Sequence, residues 1–88
     1  MSTIELFIGS NNTTHKVDVS KLKTILNRYH QGWTMQNALG SWLGNEEDSV
    51  TVLVADDREK IINTIKELKV ALEQDAIAFH EVAPLEFI

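Results

Sequence analysis

Three histidines, His15, His30 and His80, are the side chains of this 88-residue chain best suited to acid–base work near neutral pH. No HxH or HxxxH spacing links them, so a metal site would need distant residues to converge. Cysteine is absent, which removes thiolate metal ligation, a cysteine nucleophile and disulfide bonds together. No catalytic set, metal or cofactor is expected. The stretch Gly9-Ser10-Asn11-Asn12-Thr13-Thr14 offers hydroxyls, amides and backbone N–H groups, the groups that hold a phosphate or other anion, and Lys16 adds charge. Ser10, Asn11, Asn12, Thr13, Lys16 and Arg28 are therefore the candidate residues for a small anionic ligand such as a nucleotide. The same composition also suits an ordinary polar crossover, and it carries no P-loop signature. Glu46, Glu47 and Asp48 form the other cluster. They could meet a divalent cation or a basic partner, or simply keep a hairpin tip solvated.

The elements that must position these residues follow from the hydrophobic period. Alternation at Ile4, Leu6 and Ile8 gives way to a helical stripe at Val19, Leu22, Ile25, Leu26 and Tyr29. Two strand-like runs follow, Trp33 to Leu43 and Ser49 to Ala55. A second helical stripe (Ile61, Ile62, Ile65, Leu68, Leu72) leads to a final strand, Ala76 to Val82. The order predicts an α+β fold, a ferredoxin-like βαββαβ two-layer sandwich with both helices on one face of an antiparallel sheet. Strands one and three should be central. Asp18 or Ser20 can cap the first helix, which should stop at Gly32. Asp56 with Glu59 resembles a capping box for the second helix, which should run to about Gln74. The hairpin should turn at Gly44-Asn45-Glu46-Glu47-Asp48.

The chain is expected to form a single domain, residues 1–88, with a modest core. One this short hides only about 60–65% of the surface it would expose unfolded, and small domains without staples often gain stability by self-association. Glu5 interrupts the apolar stretch after Met1, and no run approaches the roughly 20 apolar residues of a membrane span. A cytoplasmic protein without a membrane role is expected. Charge is uneven: residues 1–44 carry four Lys/Arg against two Asp/Glu, and residues 45–88 four against eleven. The net charge of −5 makes nucleic-acid binding an unfavoured reading and is too small for a DNA mimic.

Apolar residues without an evident core position mark a candidate interface. Phe7 and Leu53 point away from the helical face by strand parity. Trp33 and Trp42 should face opposite ways, one of them toward core. Pro84 ends the last strand, and Leu85, Phe87 and Ile88 follow as a possible short C-terminal strand that pairs with a sheet edge. Phe7, Trp42, Leu53, Leu85, Phe87 and Ile88 are thus the candidate subunit contacts.

The run Gly40-Ser41-Trp42-Leu43-Gly44, its acidic turn, Ser49 and the Val-rich strand resemble the hairpin of small CutA and PII-like sandwich proteins and of families with a similar G-x-W-x-G hairpin. The junction Leu72, Gln74-Asp75-Ala76-Ile77 has the same character, and the likeness spans residues 38–82. It implies an oligomer, typically a trimer, with small-ligand sites in clefts between subunits. The chain departs from that pattern in lacking the long nucleotide-binding loop of PII proteins and the cysteine- or histidine-rich metal residues sometimes invoked for CutA.

Four functions compete. The leading one is a non-enzymatic regulatory or binding module acting as a homo-oligomer, dimer or trimer, with a protein partner or a small anionic ligand as its target. The second is a small-molecule or nucleotide-binding protein using the loop after the first strand. The third is a compact enzyme using His80 or His30 with a carboxylate. The fourth is a mobile-element-type inhibitor of a cellular complex, which small size and charge asymmetry suit.

Overall fold

The apolar alternation at the N-terminus forms β1, Ser2–Gly9, in a computed structural model that describes residues 1–88. It is followed by α1 (Val19–Tyr29), β2 (Trp33–Trp42), β3 (Asn45–Asp56), α2 (Arg58–Ala71) and β4 (Ala78–Val82). The four strands form one antiparallel sheet in the order β2-β3-β1-β4, so β1 and β3 are central. This is the expected ferredoxin-like α+β sandwich.

One core lies between the sheet and the helices. Ile4, Leu6 and Ile8 of β1 and Val50, Val52 and Val54 of β3 meet Leu22, Ile25 and Leu26 of α1 and Ile61, Ile65 and Leu68 of α2. All are buried, each contributing roughly 1.5–3 kcal/mol by leaving water. Trp33 packs against this core and donates from Nε1 to Asn27 Oδ1 at 2.9 Å. Ile77, just before β4, closes its end.

Element ends depart from the sequence expectation for local reasons. Asp18 caps α1, accepting from the Lys21 N–H at 3.0 Å. That helix stops at Tyr29, not Gly32, because His30 turns extended (φ −129°) and its ring is drawn into the interior. Asp57, not Asp56, caps α2, accepting from the Lys60 N–H at 3.2 Å. The helix α2 ends at Ala71 rather than Gln74. Glu73 takes the left-handed backbone (φ 54°), and Gln74 N–H returns to the Lys69 carbonyl at 2.9 Å. That is a Schellman closure with glutamate where glycine is usual. The last strand starts at Ala78, two residues later than expected.

The hairpin turn is tighter than expected. Leu43 (φ 52°) and Gly44 (φ 80°) make a two-residue turn, and Asn45 to Asp48 belong to β3. Positive φ at both central positions matches the twist of the flanking strands. The possible C-terminal strand is not formed: residues 83–88 pair with no strand, and Phe87 is 86% exposed. Pro84 has no N–H to extend the ladder.

Candidate functional site

The loop after β1 is built around Asn11. Its Oδ1 accepts from the N–H groups of Thr13 (2.8 Å) and Thr14 (3.1 Å), and its Nδ2 donates to Glu73 at 3.1 Å. The His15 N–H donates to the Asn11 carbonyl at 2.8 Å, and the Asn11 N–H to the Lys16 carbonyl at 3.0 Å. Most of the loop's backbone N–H groups are therefore bonded inside the loop itself. Beside it is a cavity of about 130 Å³ lined by Asn11, Thr14, Lys16, Asp18, Lys21 and Glu73, among others. Its charges are mixed, and Lys21 Nζ already donates to the Ala71 carbonyl at 3.3 Å.

Of the six candidate ligand residues, the structure brings only Asn11 and Lys16 to this cavity. Ser10 is buried and donates from Oγ to the Asp48 carbonyl. Asn12 and Thr13 are exposed but do not line it. Arg28 sits near the other end of α1, about 15 Å of helix away, and pairs with Glu67 at 3.4 Å.

The three histidines stay apart, and no three His, Asp or Glu side chains group around a common point. His15 is exposed in the loop with φ 60°. His80 Nε2 lies 2.8 Å from Glu5 Oε1, and its ring stacks on Phe7 at 5.7 Å between centroids. His30 is buried, Nδ1 2.8 Å from Asp56 Oδ2 and Nε2 2.9 Å from Thr64 Oγ1. The hydrogen bond from His30, the Asp57 N–H and the Lys60 ammonium hold the Asp56 carboxyl below the usual carboxylate range, against a smaller opposing effect of burial. Thr64, His30 and Asp56 have the connectivity of a nucleophile, base and acid. Thr64 is buried, however, and its hydroxyl donates to the Lys60 carbonyl at 2.9 Å, which makes this a structural clamp between the end of α1 and the start of α2. Sequence reading missed it because Asp56 also fits a helix cap.

The sheet's second face carries no helix. Phe7, Leu53 and Val82 lie there with the Glu5–His80 pair, Phe7 exposed and Leu53 half-buried. Beyond Gly9↔Ser49, the last pair of β1, strands β2 and β3 continue alone through Leu39↔Asp48, Gly40↔Glu47, Ser41↔Glu46 and Trp42↔Asn45. This two-stranded ribbon exposes Leu39 (70%), Trp42 (71%) and Leu43 (85%). At its root, where it meets the start of α1, is a cleft of about 360 Å³ walled by Val17, Val19, Ala38 and Val50. Charge is divided by layer. All eight Lys/Arg lie on the helices or, as Lys16, just before α1, whereas the strands carry Glu5, Glu46, Glu47, Asp48, Asp56 and Glu81 and no cation. Leu85, Phe87 and Ile88 are exposed in the tail.

No protein-family model matches this sequence, and no curated protein matches it. Solved structures do match its shape. A DUF3240 family protein from Shewanella baltica OS155 superposes with a TM-score of 0.70 at 8% identity, covering 98% of this chain and 92% of that one. The divalent cation tolerance protein CutA1 from Thermus thermophilus superposes with a TM-score of 0.64 at 13% identity, covering 100% and 88%. A phage SAM lyase in its apo state gives 0.52 at 16% identity, covering 90% and 78%. The likeness to CutA expected from the hairpin is therefore present, and at these identities it is a likeness of fold.

Proposed function

We propose that this protein is a small, non-enzymatic regulatory or binding module that works as a homo-oligomer of two or three chains in the cytoplasm. The observation that carries the reading is the uncovered apolar surface. Phe7 and Leu53 on the open sheet face, Trp42 on the ribbon and Leu85, Phe87 and Ile88 in the tail all lack full cover in a single chain. Apolar residues left uncovered at three places in so small a domain favour an interaction surface, and aromatic residues are the ones interfaces favour. The edge strand β2 supports it further: none of its ten residues is charged or proline, the usual protections of a free edge.

A second reading keeps the cavity beside the β1–α1 loop as a site for a small ligand, supported by Asn11, Lys16 and Lys21 around one concavity. Its mixed charge favours a zwitterionic ligand over a phosphate. Enzymatic action draws on the phage lyase, which shares the fold, but His80 and His30 are already committed to Glu5 and to the Asp56–Thr64 clamp.

Native mass spectrometry of protein purified from its own host separates these readings, because it reports assembly and bound small molecules together. Assemblies of two or three chains are expected. Single chains carrying a small molecule, with no assembly, would overturn the leading reading in favour of the second.

A further inference from the structure

The ribbon ends in a turn that costs stability. Leu43 sits in the left-handed region (φ 52°), where a residue with a Cβ is disfavoured by about 1 kcal/mol or more, and where Asn, Asp or Gly is the usual choice. Its side chain is nonetheless almost wholly exposed, beside an exposed Trp42. The left-handed backbone serves the tight turn, but an exposed leucine in place of glycine or asparagine gains nothing inside the single chain. Glu46 and Glu47 flank the apex, and the ribbon carries no cation.

The cleft at the ribbon's root is the complement of that apex. Half of its lining is apolar (Val17, Val19, Ala38 and Val50), its size falls in the range of about 300–1,000 Å³ usual for binding pockets, and Lys16 is its one cation. Lys16 forms no ion pair, although Asp48 lines the same cleft. A chain cannot fill its own cleft: the paired ribbon holds the apex about 13 Å from its root. We infer that the cleft receives the ribbon apex of a second copy of this chain, with Trp42 and Leu43 between its walls and a carboxylate of Glu46 or Glu47 on Lys16. A second copy is the occupant because it supplies an apolar, acidic apex to a half-apolar cleft whose one cation forms no ion pair. Reciprocal exchange fills both clefts of a pair and leaves no end free. The inference rests on the oligomeric reading and adds to it the residues that each copy lends the other.

The absence of cysteine makes the test clean. Leu43→Cys places a thiol at the apex and Asn37→Cys, paired with Val50 and on its face of the sheet, places one in the cleft, each in a separate full-length chain. The two proteins are mixed under mild oxidation, and the products are separated by mass. The expected result is a disulfide joining the two variants as the main product. Adding Trp42→Ala to the apex variant should lower its yield about tenfold or more, as for the loss of a central aromatic anchor. Disulfides between two apices, or none at all while the unaltered protein sediments as an oligomer, would overturn this inference alone. An unaltered protein that sediments as a single chain would overturn it together with the oligomeric reading.

Discussion

The two faces of the sheet are made from the same strands and behave oppositely. On the helical side, Ile4, Leu6, Ile8, Val50, Val52 and Val54 are almost wholly removed from water. On the other, Phe7, Leu53 and Val82 alternate with Glu5, Thr51 and His80, and β2 and β3 run on into a ribbon with nothing against it. The first face explains why the chain folds. The second is apolar enough to need cover yet polar enough to persist without it, which is the composition of a surface that associates.

Adjacent positions on β3 separate the two faces most sharply. Val52→Asp should cost about 3–5 kcal/mol or prevent folding, because it buries a charge without a partner. Leu53→Asp, one residue on and facing the other way, should cost the single chain only about 1–2 kcal/mol, for a half-buried side chain lost and a carboxylate set opposite Glu5, while disrupting assembly. Urea unfolding beside sedimentation measures both. Equal destabilisation by the two would mean that the faces do not differ as described.

The His30 clamp gives the next largest effect. His30→Ala leaves Asp56 and Thr64 without their shared partner and should cost about 2–3 kcal/mol by chemical denaturation, in the range for a lost hydrogen bond to a charged group. Its pH dependence has a definite sign. The Asp56 carboxyl is held below its ordinary value in the folded chain. Its stabilisation is therefore fully present above the ordinary carboxylate pKa near about 4 and is lost as pH falls through the lower folded value. Asp56→Asn should flatten that acid limb in thermal melts taken from about pH 5 downward.

Smaller effects sharpen the contrast at the ribbon and the tail. Leu43→Gly relieves left-handed strain and should raise the stability of the single chain by up to about 1 kcal/mol while weakening assembly. A variant that is more stable and less associated is a signature of strain kept for binding. Removing residues 85–88 should leave the unfolding of the single chain unchanged within about 0.5 kcal/mol, because Phe87 and Ile88 bury little there. Loss of oligomer in the same truncated protein would assign the tail to the seam.

Most of the fold was legible because period-two and helical patterns repeat over long stretches. Ile4, Leu6 and Ile8 and the stripe from Ile61 to Leu68 leave little ambiguity about element type. Element ends were harder. They depend on single long-range contacts, such as His30 reaching Asp56, or on non-glycine residues in left-handed backbone at Leu43 and Glu73, which composition disfavours. The loop at Asn11 shows the limit for a site. Its residues suit anion binding, yet an Asn just ahead of two threonines can satisfy their backbone amides itself, and only the fold shows that it does. Charge alone would group Arg28 with that loop, although α1 carries it to the opposite end.

On the proposed function, further copies of the chain cover the open face and the ribbon. Sedimentation equilibrium of the unaltered protein at micromolar concentration, at neutral pH and moderate salt, tests it most directly. A mass two or three times the 9.9 kDa of one chain is expected, reduced to one by Leu53→Asp without loss of folded structure. A single 9.9 kDa species for the unaltered protein throughout that range would contradict it.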